Sequence, residues 1–125
     1  MDLQKSFKKV AFTMYPVENL ARARSFYEKT LNLQHGMISA EGRWIEYDLP
    51  HGGCFCITDL VPELKPSASA GGCLAFEVEN LDSLVSELKS KDVRFKTDIF
   101  HSPVCKMAVI LDTEGNSLML HQLKG

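Results

Sequence analysis

Apolar and polar residues alternate over residues 7–15, Phe-Lys-Lys-Val-Ala-Phe-Thr-Met-Tyr, which predicts a first strand. The period then changes. Leu20, Ala23, Tyr27 and Leu31 recur at helical spacing, with Phe26 beside them, while Arg22, Arg24, Glu28 and Lys29 fall mostly elsewhere. This predicts a helix from Leu20 to Leu31, capped by Asn19 and stopped at Asn32, a residue type that tolerates the left-handed conformation. Three short strands are predicted next, at about 35–40, 43–49 and 54–59. The last two are joined by a turn, Leu49-Pro50-His51-Gly52-Gly53. The order of this half is β-α-β-β-β.

Residues 61–71 carry Pro62, Pro66 and Gly71 and read as a linker, too short to separate large domains. The pattern then starts again. Cys73 to Val78 reads as a strand, and Asn80 caps a helix carrying Leu81, Leu84, Val85 and Leu88. Strands are predicted at Val93 to Lys96, Val104 to Leu111 and Leu118 to Gln122, with a turn at 112–116 before the last. The repetition extends to identity. Val17-Glu18-Asn19-Leu20 returns as Val78-Glu79-Asn80-Leu81, an offset of 61, and His51-Gly52-Gly53 aligns with Glu114-Gly115-Asn116 at an offset of 63. Two copies of one supersecondary unit are implied. The expected class is α+β, with two βαβββ modules (about 7–60 and 72–123) in a single domain, 1–125.

Composition adds little beyond exclusions. The 125 residues are 45% hydrophobic and 24% charged, with a net charge of −2, which is ordinary for a globular domain and gives no sign of a nucleic-acid or membrane partner. No apolar run reaches the length of a membrane span and no secretory leader pattern is seen at the start, so a cytoplasmic location is expected. The four cysteines are then expected as thiols.

The stretches Val17-Glu18-Asn19-Leu20 through Phe26-Tyr27 to Leu31, and Leu111-Asp112-Thr113-Glu114-Gly115-Asn116-Ser117-Leu118, resemble two signatures of the vicinal oxygen chelate superfamily. That superfamily includes glyoxalase I, bleomycin-resistance proteins and extradiol dioxygenases, and the similarity covers residues 8 to 123. The resemblance implies that the two modules form a curved mixed sheet around a cleft. It also implies a divalent metal held by His, Glu or Gln on the first and last strands of each module. Those positions fall on Phe12, Cys56, Cys73 and Met119, none of which is such a residue. Hard and borderline ions prefer carboxylate, imidazole and water. The expectation is therefore no cofactor, with a divalent metal possible only through non-standard ligands.

Strand alternation fixes what shares the face of those four positions. Val10 and Met14 go with Phe12; Cys54 and Thr58 with Cys56; Ala75 and Glu77 with Cys73; His121 with Met119. The parity of the strand Trp44-Ile45-Glu46-Tyr47-Asp48 stays open; with Trp44 and Glu46 inward, they add a stacking wall and a carboxylate. The predicted cleft is lined by Phe12, Met14, Trp44, Cys54, Cys56, Thr58, Cys73, Met119 and His121, mostly apolar with few polar groups, as small-molecule sites are.

Three functions compete. The first is a binder of a small organic molecule that lacks the usual metal ligands, in the manner of the bleomycin-resistance proteins. The second is a lyase, isomerase or dioxygenase with a non-standard site built on His121 with Glu77 or Glu46. The third is a soft-metal or thiol-reactive binder using Cys54, Cys56, Cys73 and Met119. Each has a bland counterpart: a strand histidine bonded to backbone, a solvated glutamate, and cysteines acting as small hydrophobes. His101, Ser102, Pro103 and Cys105 are placed near the cleft rim, and His35 and His51 have no assigned role. A homodimer is expected, both from the resemblance and from the open sheet edges.

Overall fold

A computed structural model describes residues 3–124, so the predicted domain bounds at 1 and 125 lie just outside the described residues. Strand β1 (Thr13–Pro16) leads into helix α1 (Leu20–Ser25), which continues as a π-helical turn (Phe26–Thr30). Strands β2 (His35–Ser39), β3 (Trp44–Asp48) and β4 (Cys54–Thr58) complete the first half. The second half has β5 (Leu74–Glu77), α2 (Leu81–Ser90), β6 (Phe100–His101), β7 (Cys105–Leu111) and β8 (Ser117–Leu123). The strands form two four-stranded mixed sheets of matching order, β1-β4-β3-β2 and β5-β8-β7-β6. In each, the first strand pairs in parallel with the last and the other pairings are antiparallel. These are the two βαβββ modules that the repeat predicts.

Several strand, cap and turn bonds recur in both halves. Val17 N donates to Thr58 O at 3.0 Å, and Val78 N to His121 O at 2.8 Å. The Asn19 side chain caps α1 by accepting from Arg22 N at 2.9 Å, and Asn80 caps α2 by accepting from Ser83 N at 3.1 Å. In the turns, Leu49 N bonds Gly53 O and Asp112 N bonds Asn116 O, at 3.0 and 2.9 Å. Gly52 (φ 114°) and Gly115 (φ 92°) occupy the same place in those turns, a left-handed conformation that side chains with a Cβ resist.

One apolar cluster draws on both modules, from Tyr15, Tyr27, Tyr47 and Phe55 to Phe76, Leu88, Ile110 and Leu118. Tyr47 stacks on Phe55 at 5.1 Å, and Phe55 meets the Phe76 ring edge-on at 5.5 Å across the module boundary. Burial of such side chains stabilises by about 1.5–3 kcal/mol each. Polar links reinforce the boundary. The Tyr15 hydroxyl donates to Ser117 O at 2.9 Å and accepts from Leu74 N at 2.6 Å. Burial pushes this phenol up to about 12, so it stays protonated and keeps both bonds.

Three elements differ from the sequence expectation. The first strand begins at Thr13 rather than residue 7, and residues 7–12 are exposed. Thr13 pairs with Phe55, and β4 begins only one residue earlier, so the chain before residue 12 has no parallel neighbour. The strand expected at Val93 to Lys96 is reduced to a single bridge, Phe95 to Ile110. Lys96 N and Thr97 N both donate to Val109 O, which bulges the chain, and the ladder resumes at β6. The first helix loosens at its end, where Leu31 N reaches back five residues to Phe26 O at 3.0 Å.

Candidate functional site

The register of the first sheet places its side chains. Met14 pairs with Cys56, and Cys56 with Glu46, so the three stand abreast on one face. Trp44 and Thr58 are neighbours on the same face, as are Asp48 and Cys54. The open parity of the Trp44–Asp48 strand is thereby resolved: Trp44 and Glu46 share the face of Cys56. The Phe12 ring meets Trp44 edge-on at 5.3 Å, and Trp44 Nε1 donates to Glu46 Oε2 at 2.9 Å. An aromatic pair beside a carboxylate held by an indole results, with Phe12 45% exposed. Thr58 is committed elsewhere, donating to Arg43 O and accepting from Leu60 N. Cys56 has no exposure, and burial pushes its thiol up to about 12. Burial, then the nearby Asp48 carboxylate, also raises Cys54.

In the second sheet Ala75, Met119 and Val109 stand abreast, and Glu77, His121 and Met107 form the next row. His121 Nδ1 and Glu77 Oε1 are 2.5 Å apart, and Glu77 Oε2 accepts from Leu123 N at 3.0 Å. The Leu123 N–H, then His121, hold the Glu77 carboxyl below its ordinary value. The structure thus pairs two of the three predicted catalytic groups. Glu46 belongs to the other sheet, and its bond is to Trp44. Cys73 is exposed. His101 is exposed, whereas Ser102 accepts from Val104 N and Cys105 N and lies 3.0 Å from the buried Cys105 thiol, stitching the turn before β7.

These side chains do not fit the divalent metal that the resemblance implies. Phe12 has no donor, Met119 offers a soft thioether, and the Cys56 thiol is protonated at neutral pH. Among the described residues no three His, Cys, Asp or Glu side chains are placed to share an ion.

Sequence reasoning missed a cavity of about 520 Å³ on the helix side of the sheets. It lies between the Leu49–Gly52 turn, the chain after α1 at Leu31 and Leu33, strand β5, and α2 at Leu84, Glu87, Leu88 and Lys91. The signal for it was present in the repeat: the aromatic and arginine side chains of α1, Phe26, Tyr27 and Arg22, correspond to Glu87, Leu88 and Ser83 in α2.

Among the described residues no helix is long and apolar enough to cross a membrane. A family model described as Glyoxalase/Bleomycin resistance protein/Dioxygenase superfamily matches residues 9–120. Among solved structures, TnmS3, an antibiotic binding protein from Streptomyces sp. CB03234, is similar with a TM-score of 0.81 at 20% identity, covering 95% of this chain and 98% of that one. A superfamily member from Sphaerobacter thermophilus DSM 20745 gives 0.77 at 17% identity, covering 94% and 98%. Lactoylglutathione lyase from Agrobacterium tumefaciens gives 0.71 at 15% identity, covering 93% and 94%. No curated protein sequence matches significantly.

Proposed function

We propose that this chain, which belongs to the Glyoxalase/Bleomycin resistance protein/Dioxygenase superfamily, binds a small organic molecule on the sheet faces that carry Phe12, Trp44, Cys56 and Met119, without a hard metal ion. The observation that carries this reading is the side-chain chemistry of those faces. Where hard-ion ligands would be needed stand a ring, the buried protonated thiol of Cys56, the exposed thiol of Cys73 and a thioether, while the edge-on Phe12–Trp44 pair and the indole-held Glu46 suit a planar ligand. The antibiotic-binding description of TnmS3 supports the same reading, at the level of a shared fold.

The test is a thermal-shift screen of planar aromatic compounds on protein grown in metal-replete medium. At least one compound is expected to raise the melting temperature equally with and without EDTA, and Trp44→Ala is expected to weaken it at least tenfold. Near-stoichiometric iron, nickel, manganese or zinc in the purified protein, removable by EDTA with loss of binding, would overturn the reading.

A second reading rests on the His121–Glu77 pair. A carboxylate that orients an imidazole is the arrangement a general base requires, and it faces the same side as Met119. If this reading holds, a bound compound is consumed by the wild type and not by His121→Gln, with binding retained in both. Unchanged ligand after prolonged incubation counts against catalysis and leaves the binder.

A further inference from the structure

We propose that the cavity between the Leu49–Gly53 turn and α2 is a second binding site, on the opposite side of the sheets, for a neutral, ring-containing apolar molecule. The two contacts between a turn and a helix differ at equivalent positions. At one of these contacts the turn at 112–116, from the second half, is clamped to α1 of the first. The Tyr27 hydroxyl donates to Asp112 Oδ2 at 2.7 Å, and Glu114 takes two bonds from Arg22 and one each from Glu18 N and Asn19 N. At the equivalent contact, between the Leu49–Gly53 turn of the first half and α2 of the second, Leu88 stands where Tyr27 would be and Leu49 where Asp112 would be. Glu87 replaces Phe26, His51 replaces Glu114 and Ser83 replaces Arg22. Among the described residues no hydrogen bond of the His51 side chain ties this turn to α2.

The consequence is volume. The space beside the clamped turn is about 200 Å³ and its counterpart beside the unclamped turn about 520 Å³. The π-helical turn widens it further. The chain takes six residues from Tyr27 to its backbone partner Leu33, against five from Leu88 to Val93, and the extra residue sets Leu31 and Leu33 as the far wall. Leu31, Leu33, Leu49, Leu84, Leu88 and Phe76 give the cavity a mostly apolar lining, with Thr30, Asn32, His51 and Glu77 as its further polar side chains, so an ionised occupant would lose most of its hydration without replacement. Apolar cavities of this kind take neutral rings, and the size suits a small molecule. Glu87 and Lys91 stand at the lip, where a polar substituent would remain in water.

Toluene titrated into the full chain, followed by amide NMR, tests this. Saturable shifts are expected at Leu33, Gly52 and Leu88, with benzoate at least tenfold weaker. Leu84→Trp, which projects an indole into the cavity and partly fills it, is expected to weaken toluene at least tenfold. If that variant does not fold, the pair Leu49→Asp with Leu88→Tyr, which installs the clamp of the other contact, replaces it with the same expected loss. No saturable shift at the three amides, shifts confined to the face of Trp44 and Met119, or undiminished binding in a folded filled variant would each overturn the proposal.

Discussion

At the scale of single residues, the strongest local organisation surrounds Glu114. Its side chain is fully covered, while its partner Arg22 is half exposed. Burial alone would push the carboxyl up, but the Arg22 guanidinium and the backbone N–H groups of Asn19 and Glu18 outweigh it and bring it down to about 2, from 4.5. A carboxyl depressed on folding stabilises above its unfolded value and loses that contribution as pH falls through the folded one. Glu114→Gln is therefore expected to cost about 2 kcal/mol at pH 7, allowing for the exposure of Arg22, with the gap closing between about pH 4.5 and 2. Urea melts of both proteins at pH 7 and pH 3 check it; a gap that does not narrow would show that the ionised carboxylate is not the source. This contact joins residues 92 apart in the chain, so no local pattern announces it. What was legible at this scale was facing. Period-2 alternation put Cys54, Cys56, Ala75, Glu77, Met119 and His121 on one side of their strands, and the residues that alternate with them, Phe55, Ile57, Phe76, Leu118 and Leu120, lie in the core. It failed for Glu46 because Trp44, Ile45 and Tyr47 put large apolar side chains on both faces of the strand.

At the scale of elements, the caps were legible because the chemistry is local: Asn19 and Asn80 each accept from the N–H three residues on. Asn80→Ala is expected to cost about 1 kcal/mol and Asn80→Asp much less, because aspartate offers the same acceptor. Chemical denaturation separates the two, and equal losses would contradict the capping role. The strand expected at Val93 to Lys96 failed for an instructive reason. Val93 and Phe95 both pack against the core, so the alternation correctly reports burial. Alternation does not report pairing, and here two donors converge on Val109 O and interrupt the ladder. The π-helical turn was equally invisible, since Leu20, Ala23, Tyr27 and Leu31 satisfy ordinary helical spacing whether or not one hydrogen bond slips. That slip matters, because it sets the wall of the larger cavity.

At the scale of the molecule, duplication supplies matching backbones and divergence supplies the difference between them. One turn is clamped to a helix and the other is not, and both sheets end in an open edge, at β2 and β6. All five residues of β2 are exposed, with Met37 at 63% and Ile38 at 40%; near the other edge Phe100 is at 40% and Val104 at 64%. Unpaired strand edges flanked by exposed apolar side chains invite a second chain, and a twofold pair is the commonest way to cover them without open-ended growth. We therefore expect a homodimer, with a light-scattering mass twice the 14.0 kDa of the chain. Because the burial of Met37 and Phe100 would be part of what holds it, Met37→Asp combined with Phe100→Asp is expected to give a folded monomer, since neither side chain contributes to the core. A wild-type monomer at micromolar concentration would refute the assembly. A double mutant that remains dimeric would place the interface away from these two edges.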